Sequence, residues 1–215
     1  MRSMLVIGLG RFGRHLATKL AELGNEVMVV DRDEAAVSRL APVTTAAHIG
    51  DCMDEEVIAS LGVRNFDVCF VCISENFQSS LEITSLLKEA GAKWVVSKTD
   101  REMHAKFLLK IGADAVVHPE RDMAQRAAMK YSMRNAFDYI EVTPEYAISE
   151  LRVPESWVGQ SVRDLKVRSR YNVNIIGIKV EEHVIPLVSA EHRFEAAEHL
   201  LVAGGKKDIT RLMYK

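Results

Sequence analysis

The sequence predicts an α/β protein: a doubly wound parallel sheet, then one connecting helix, then a small α+β module. Three observations carry that prediction. Short, wholly apolar runs alternate with longer amphipathic segments through residues 1–118, the pattern of strands covered on both faces by helices. The first apolar run ends in a glycine-rich loop, Gly8-Leu9-Gly10-Arg11-Phe12-Gly13, that opens a helix. After His118-Pro119 the alternation stops, and a helical stretch gives way to short strands and turns.

In order, Met4–Ile7 is the first strand, and Phe12–Leu23 is a helix with Leu16, Leu20 and Leu23 at helical spacing. Glu26–Asp31 is the second strand, carrying Val27, Met28, Val29 and Val30, and Asp33–Leu40 is a short helix. Ala46–Ile49 gives a weak third strand, followed by a helix over Asp54–Leu61. Val68–Ile73 is the fourth strand, Phe77–Ala90 a helix, Trp94–Ser97 the fifth strand, Arg101–Ile111 a helix and Ala115–Val117 the sixth strand. Right-handed crossovers then give the strand order 3-2-1-4-5-6, a Rossmann-like sheet.

Pro119 suits a helix start, and the early acids Glu120 and Asp122 favour its positive end, so Glu120–Met133 is helical, with Met123, Ala127 and Met133 as its apolar face. Beyond it lie strands at Asp138–Val142, Val173–Val180, Val184–Val188 (around a Glu181–His183 turn) and His199–Val202, the last shortly before Gly204-Gly205. The expected division is 1–118 for the nucleotide-binding domain, 119–138 for the connecting helix and 139–215 for the C-terminal module.

Bulk properties narrow the function. The chain has 215 residues, enough to bury a core without staples, and a net charge of −2 gives no global basic field for a nucleic-acid polymer or anionic lipid. Three cysteines do not make a disulfide framework and favour a reducing compartment. Cys69 and Cys72 are three apart on a strand, so their side chains take opposite faces and cannot share a metal. Met4–Ile7 is too short for a signal sequence, and no run is long enough to span a bilayer. A membrane role must therefore come through a partner.

The glycine loop carries the chemistry. A lone GxGxxG is weak, but here a strand precedes it, a helix follows, and Asp31 closes the second strand about twenty residues on. Gly8 permits the tight turn, Gly10 lets phosphates approach the backbone, and Gly13 lets helix and strand pack. The helix N-terminus offers free N–H groups to phosphate. Asp31 either accepts from ribose hydroxyls or opens the Asp31-Arg32-Asp33 turn. Asp51 and the Cys52 backbone either edge the adenine or cap the helix that follows. Arg11 suits an extra phosphate, because a guanidinium binds phosphate oxygens in pairs; this favours ADP or ATP over NAD. Phe12, Arg32 and Lys98 complete the candidate set. Against an enzyme, the seven histidines are scattered, with no evident His–Asp or His–Glu dyad and no nucleophile triad or metal spacing. The alternatives are a small NAD(P)-dependent oxidoreductase and an NADH redox sensor.

The glycine loop, Asp31, Gly50-Asp51, Ile111-Gly112-Ala113-Asp114, His118-Pro119-Glu120-Arg121-Asp122-Met123 and Gly159-Gln160-Ser161-Val162-Arg163-Asp164-Leu165 together resemble the RCK (or KTN) regulators of potassium channels and transporters. The resemblance is closest to the Ktr/Trk subunits of bacterial potassium uptake. It implies a cytoplasmic protein held at the inner face of the cell membrane by a membrane-embedded potassium transporter subunit. It further implies a homodimer built through the 119–138 helix and assembled into an octameric ring. The glycine loop would bind ATP or ADP, and also NAD(H), with Arg11 reaching the terminal phosphate. Glu120 stands at an acidic position where a cation (Mg, Ca or Na) can bridge subunits beside the nucleotide. In the C-terminal module Arg168, Asn174, Ile175 and Pro186 stand where relatives bind cyclic di-AMP. The chain departs from the family pattern at Glu198-His199-Leu200, where members commonly carry Gly-Asp.

Overall fold

The first sheet has all its strands parallel, in the order β3-β2-β1-β4-β5-β6. The computed structural model describes residues 1–73, 76–132, 136–186 and 188–213. The sheet is built from β1 (Ser3–Ile7), β2 (Glu26–Asp31), β3 (Ala46–Ile49), β4 (Val68–Val71), β5 (Val95–Lys98) and β6 (Ala115–Val117). Between them run α1 (Arg11–Glu22), α2 (Glu34–Leu40), α3 (Glu55–Ser60), α4 (Phe77–Glu89) and α5 (Glu102–Ile111). Period-two alternation sorts the strand side chains into two apolar layers. Leu5 and Ile7 join Val30, Cys69 and Val71 on one face. Met4 and Val6 join Val27, Val29 and Cys72 on the other. Each such side chain contributes about 1.5–3 kcal/mol by leaving water. The two cysteines of the CxxC thus pack in opposite layers, as strand geometry requires, although β4 ends one residue before Cys72.

Strand order reverses direction between β1 and β4, and the carboxyl ends of strands at such a switch point leave a crevice. This is what places the glycine loop over an open site. The helices α2, α3 and α4 begin with side-chain caps: Asp33, Asp54 and Asn76 accept from the N–H groups of Ala35, Glu56 and Ser79. Helix α1 begins at Gly10 with no side-chain cap and no acid in its first turn. Its first N–H groups are left without intrahelical partners.

A helix α6 (Pro119–Ser132) follows, close to the expected span, although Met133 lies outside the described residues. Contacts divide the chain into two compact units, Met1–Asp122 and Met123–Lys215. The second unit contains β7 (Ala136–Glu141), β8 (Tyr146–Arg152), α7 (Val162–Leu165), α8 (Val167–Tyr171), β9 (Val173–Val180), β10 (His183–Ile185), β11 (His199–Gly205) and α9 (Lys206–Met213). Its sheet is antiparallel throughout, ordered β10-β9-β11-β8-β7, over a core of Leu151, Trp157, Ile178, Phe194, Leu200, Val202, Ile209 and Leu212. Strand β8 and helices α7, α8 and α9 are absent from the sequence reading. The inward residues of β8 are Ala147, Ser149 and Leu151, and Glu150 is buried as well, so its hydropathy does not alternate. The strand expected over Val184–Val188 is confined to its first part, ending at Ile185, and Leu187 lies outside the described residues.

Candidate functional site

The three glycines of the loop stand in three different environments. Gly8 leaves β1 with φ +91°, the left-handed side where a Cβ is disfavoured. A Cβ on Gly13 would stand 1.9 Å from the Gly8 carbonyl oxygen, so glycine is what lets α1 lie against the loop. A Cβ on Gly10 would meet nothing within 4 Å. The protein's own packing therefore does not require glycine at position 10, and the space that a side chain would fill is the space over the α1 N-terminus.

Asp31 ties the second strand to the loop. Its Oδ2 accepts from the Leu9 N–H at 2.5 Å and its Oδ1 from the Asp33 N–H at 2.9 Å. The turn-opening role weighed from the sequence is thus real, yet a carboxylate has about four acceptor positions, which leaves capacity for ribose hydroxyls. Asp51 does not cap α3, since Asp54 does; its Oδ1 instead accepts from the Met53 N–H at 3.0 Å, shaping the loop after β3. Cys52 is buried and its thiol is pushed up to about 12, first by burial and then by the charges of Asp51 and Asp31. Its side chain belongs to the core, and only its backbone can serve a ligand.

At the end of β5, Lys98 is buried, and its Nζ donates to Glu120 Oε1 at 2.7 Å. The same ammonium lies 5.8 Å from the centroid of the Phe12 ring, within reach of a cation–π attraction. The Lys98 hydrogen bond holds the Glu120 carboxyl below the usual glutamate range, helped by the charges of Lys98 and Arg11.

These groups surround one cavity of about 640 Å³. Gly8, Gly10, Arg11, Phe12, Asp31, Arg32, Asp51, Cys52, Lys98 and Glu120 line it; Gly13 does not, and acts from behind the loop. Sequence reading missed Arg14 and Arg39, which also line it. Arg14 sits one turn beyond Arg11 on the same helix, so helical spacing alone could have found it. Past the loop the lining continues through Cys72, Ile73, Asn76, Ser79 and Ile83.

In the second unit, Arg168, Asn174 and Ile175 line a separate cavity of about 630 Å³ with Arg163 and Lys166. Pro186, the fourth candidate, is not among its lining residues. Among the described residues no group of three His, Cys, Asp or Glu side chains is placed to hold a metal ion, so Glu120 is not part of a ready ligand set. No described helix is long and apolar enough to cross a membrane.

The TrkA-N domain model matches residues 4–119 and the TrkA-C domain model matches residues 148–213. The chain is 41% identical over 210 residues to the Ktr system potassium uptake protein C of Bacillus subtilis (strain 168), covering 98% of this chain and 95% of that one. It is 37% identical over 210 residues, with the same coverage, to the Ktr system potassium uptake protein A of the same organism. The chain belongs to the KtrA family of RCK-type regulatory subunits.

Solved RCK-type structures share the fold. The GsuK channel bound to NAD aligns with a TM-score of 0.68 at 18% identity, covering 100% of this chain and 39% of that one. GsuK bound to ADP aligns at 0.52 and 18% identity, over 62% of this chain and 36% of that one. Membership of a regulatory family answers the oxidoreductase alternative. The sequence shows no evident His–Asp or His–Glu dyad, and the fold nevertheless brings two His–Glu pairs together. His199 Nδ1 lies 2.6 Å from Glu150 Oε1, and His192 Nε2 lies 3.0 Å from Glu198 Oε2. Sheet register creates the first pair, because β11 lies beside β8 although the two residues are 49 apart in sequence. Both carboxylates are buried, and neither pair lines either cavity. Their evident work is to satisfy charges that burial would otherwise penalise, with Lys179 donating to Glu150 as well at 3.2 Å.

Proposed function

We propose that this chain is the nucleotide-sensing regulatory subunit of a potassium-uptake system, acting on a membrane-embedded transporter subunit. The observation that carries this reading is Gly10. It stands where the fold leaves open space over an uncapped helix N-terminus, beside Arg11 and opposite Asp31. Free N–H groups and the helix dipole favour phosphate there, and Asp31 favours a ribose. The three parts of the chain then serve as 1–118 for sensing, 119–138 for coupling between copies, and 139–215 for a second ligand.

An adenine nucleotide fits the first cavity's volume, which lies within the usual range for small-molecule sites. ATP and ADP differ by one phosphate, and Arg11 is the group suited to read it. A ligand shifts a ring only by its difference in affinity for two ring shapes, and one charge-assisted contact supplies about 1–3 kcal/mol per site. NAD(H) is a second occupant, favoured by the continuation of the lining past the loop to Ile73, Asn76 and Ser79. A cation at Glu120 would draw its remaining ligands from phosphate oxygens. In the second unit Arg168 would meet a phosphate of cyclic di-AMP, with Asn174 and Ile175 at its base.

The test is to purify the chain with its transporter subunit and follow potassium flux in vesicles with ATP or ADP present. The expected result is a ring-sized assembly of eight copies, with ATP giving more flux than ADP. A monomer that leaves flux unchanged under both nucleotides would refute the proposal.

A further inference from the structure

Where β2 gives way to α2, the first cavity is lined by two arginines, Arg32 and Arg39. Arg32 follows Asp31 directly, and Arg39 reaches the cavity from the last turn of α2. Ala36 lines the cavity too, and a spacing of three puts Ala36 and Arg39 on one face of that helix. Ala36 contributes only a methyl, which leaves room on that face for a ligand group. Among the described residues neither Arg32 nor Arg39 is in an ion pair. The acids of the same stretch are committed to the backbone: Asp31 accepts from the Leu9 and Asp33 N–H groups, and Asp33 from the Ala35 N–H. Both arginines are exposed, so the core has no need of either.

On the nucleotide reading, the 5′-phosphates lie over the α1 N-terminus and Asp31 meets the ribose, so neither Arg32 nor Arg39 serves a phosphate of ATP or ADP. In sites of this topology an acid at the end of the second strand takes a ribose hydroxyl, and an arginine near it accommodates a phosphate carried by that ribose. This chain has both. Each guanidinium offers a planar fork that binds phosphate oxygens in pairs, and two such cations outweigh the repulsion of one carboxylate. We propose that this edge of the cavity is a subsite for a phosphate monoester on the adenosine ribose of the ligand, held by Arg32 and Arg39, with Asp31 accepting from the remaining hydroxyl. The proposal rests on the nucleotide reading above and adds to it the class of nucleotide favoured, one phosphorylated on the ribose as well as at its 5′ carbon. The 2′-phosphate of NADP(H) and the 3′-phosphate of coenzyme A share that chemistry.

The experiment is calorimetric titration of the full chain with AMP, ADP, adenosine 2′,5′-bisphosphate and adenosine 3′,5′-bisphosphate. The proteins are the native chain, Arg39→Gln, and the double variant that adds Arg32→Gln. In the native chain one bisphosphate should bind about 10-fold or more tightly than AMP. Preference for the 2′,5′ isomer identifies a ligand of the NADP(H) kind, and preference for the 3′,5′ isomer one of the coenzyme A kind. Arg39→Gln should cut the ratio of bisphosphate to AMP affinity to about 3 or less and the double variant to about 1, while the ratio of ADP to AMP affinity falls by less than about 2-fold. Two bisphosphates that bind no better than AMP would overturn the proposal. So would a preference that survives the double variant. An equal fall in both ratios would mean diffuse attraction to positive charge and would overturn it as well. Should a variant fail to fold, the ratio in the native chain decides alone. A native chain that binds none of the four sinks the nucleotide reading itself, which is a different result from binding AMP and ADP with no preference for a bisphosphate.

Discussion

Adding one methyl group at Gly13 and one at Gly10 should have opposite consequences, although both glycines belong to one loop of six residues. At position 13 the new Cβ would stand 1.9 Å from the Gly8 carbonyl oxygen, 3.0 Å from the Gly8 carbonyl carbon and 3.2 Å from the Cys72 Cβ. Two of those neighbours are backbone, so no side-chain rotation relieves them, and α1 must shift away from β1. Overpacking of this kind costs about 3 kcal/mol or more. For a unit of this size that lowers the melting temperature by roughly 10 °C. At position 10 the Cβ meets nothing within 4 Å, and the backbone at φ −59° accepts any residue. Gly10→Ala should therefore keep its melting temperature within about 2 °C, as surface substitutions do, yet weaken ADP binding about 10-fold or more, because on the proposed function the methyl would take the space assigned to the phosphate. Scanning calorimetry without nucleotide and titration with ADP separate the two quantities. Equal losses of stability in both variants, or ADP binding by Gly10→Ala at the native affinity, would refute this division of labour.

Other outcomes follow from the same structure. Arg11→Ala should narrow the gap between ATP and ADP affinities more than it weakens ADP binding, and competition titration would expose equal losses. Glu120 has a lowered pKa, so its pairing with Lys98 contributes stability above the ordinary glutamate value near 4.3 and loses it as pH falls through the lower folded value. Acid melting curves of the native chain and Glu120→Gln should thus converge below that window and separate above it. The three cysteines are buried, with thiols pushed up to about 12 by burial. A thiol reagent at pH 8 should label the folded chain only at the rate of its unfolding, and a fast stoichiometric reaction would show that the core placement is wrong. Arg168→Ala should weaken binding of cyclic di-AMP about 10-fold while leaving ADP binding untouched, as parallel titrations would show.

The parallel sheet was legible because β1, β2, β4 and β5 are largely buried on both faces, so they read as apolar runs between helices, whereas the edge strands β3 and β6 are only partly buried and read more weakly. The second sheet was less so. Strand β8 turns Ala147 and Ser149 inward and buries Glu150 against His199 and Lys179, which hides its alternation. Helix α9 buries Ile209, Leu212 and Met213, a spacing present in the sequence, but it is eight residues long and starts at once after Gly204-Gly205 at the end of β11. The lining of the first cavity was legible where local geometry makes it, at the glycine loop and Asp31. It was opaque where the tertiary fold makes it: Arg39 reaches the cavity from α2, and the Lys98–Glu120 pair joins residues 22 apart. No local pattern announces a contact that strand order creates.

The most direct test of the nucleotide-sensing account is equilibrium titration of the purified chain with ADP, ATP and NADH, each followed by competition with the others. The account predicts one adenine-nucleotide site per chain at which ATP and ADP exclude each other, with both lost together in Gly10→Ala. Binding of NADH with no response to ATP or ADP would contradict it.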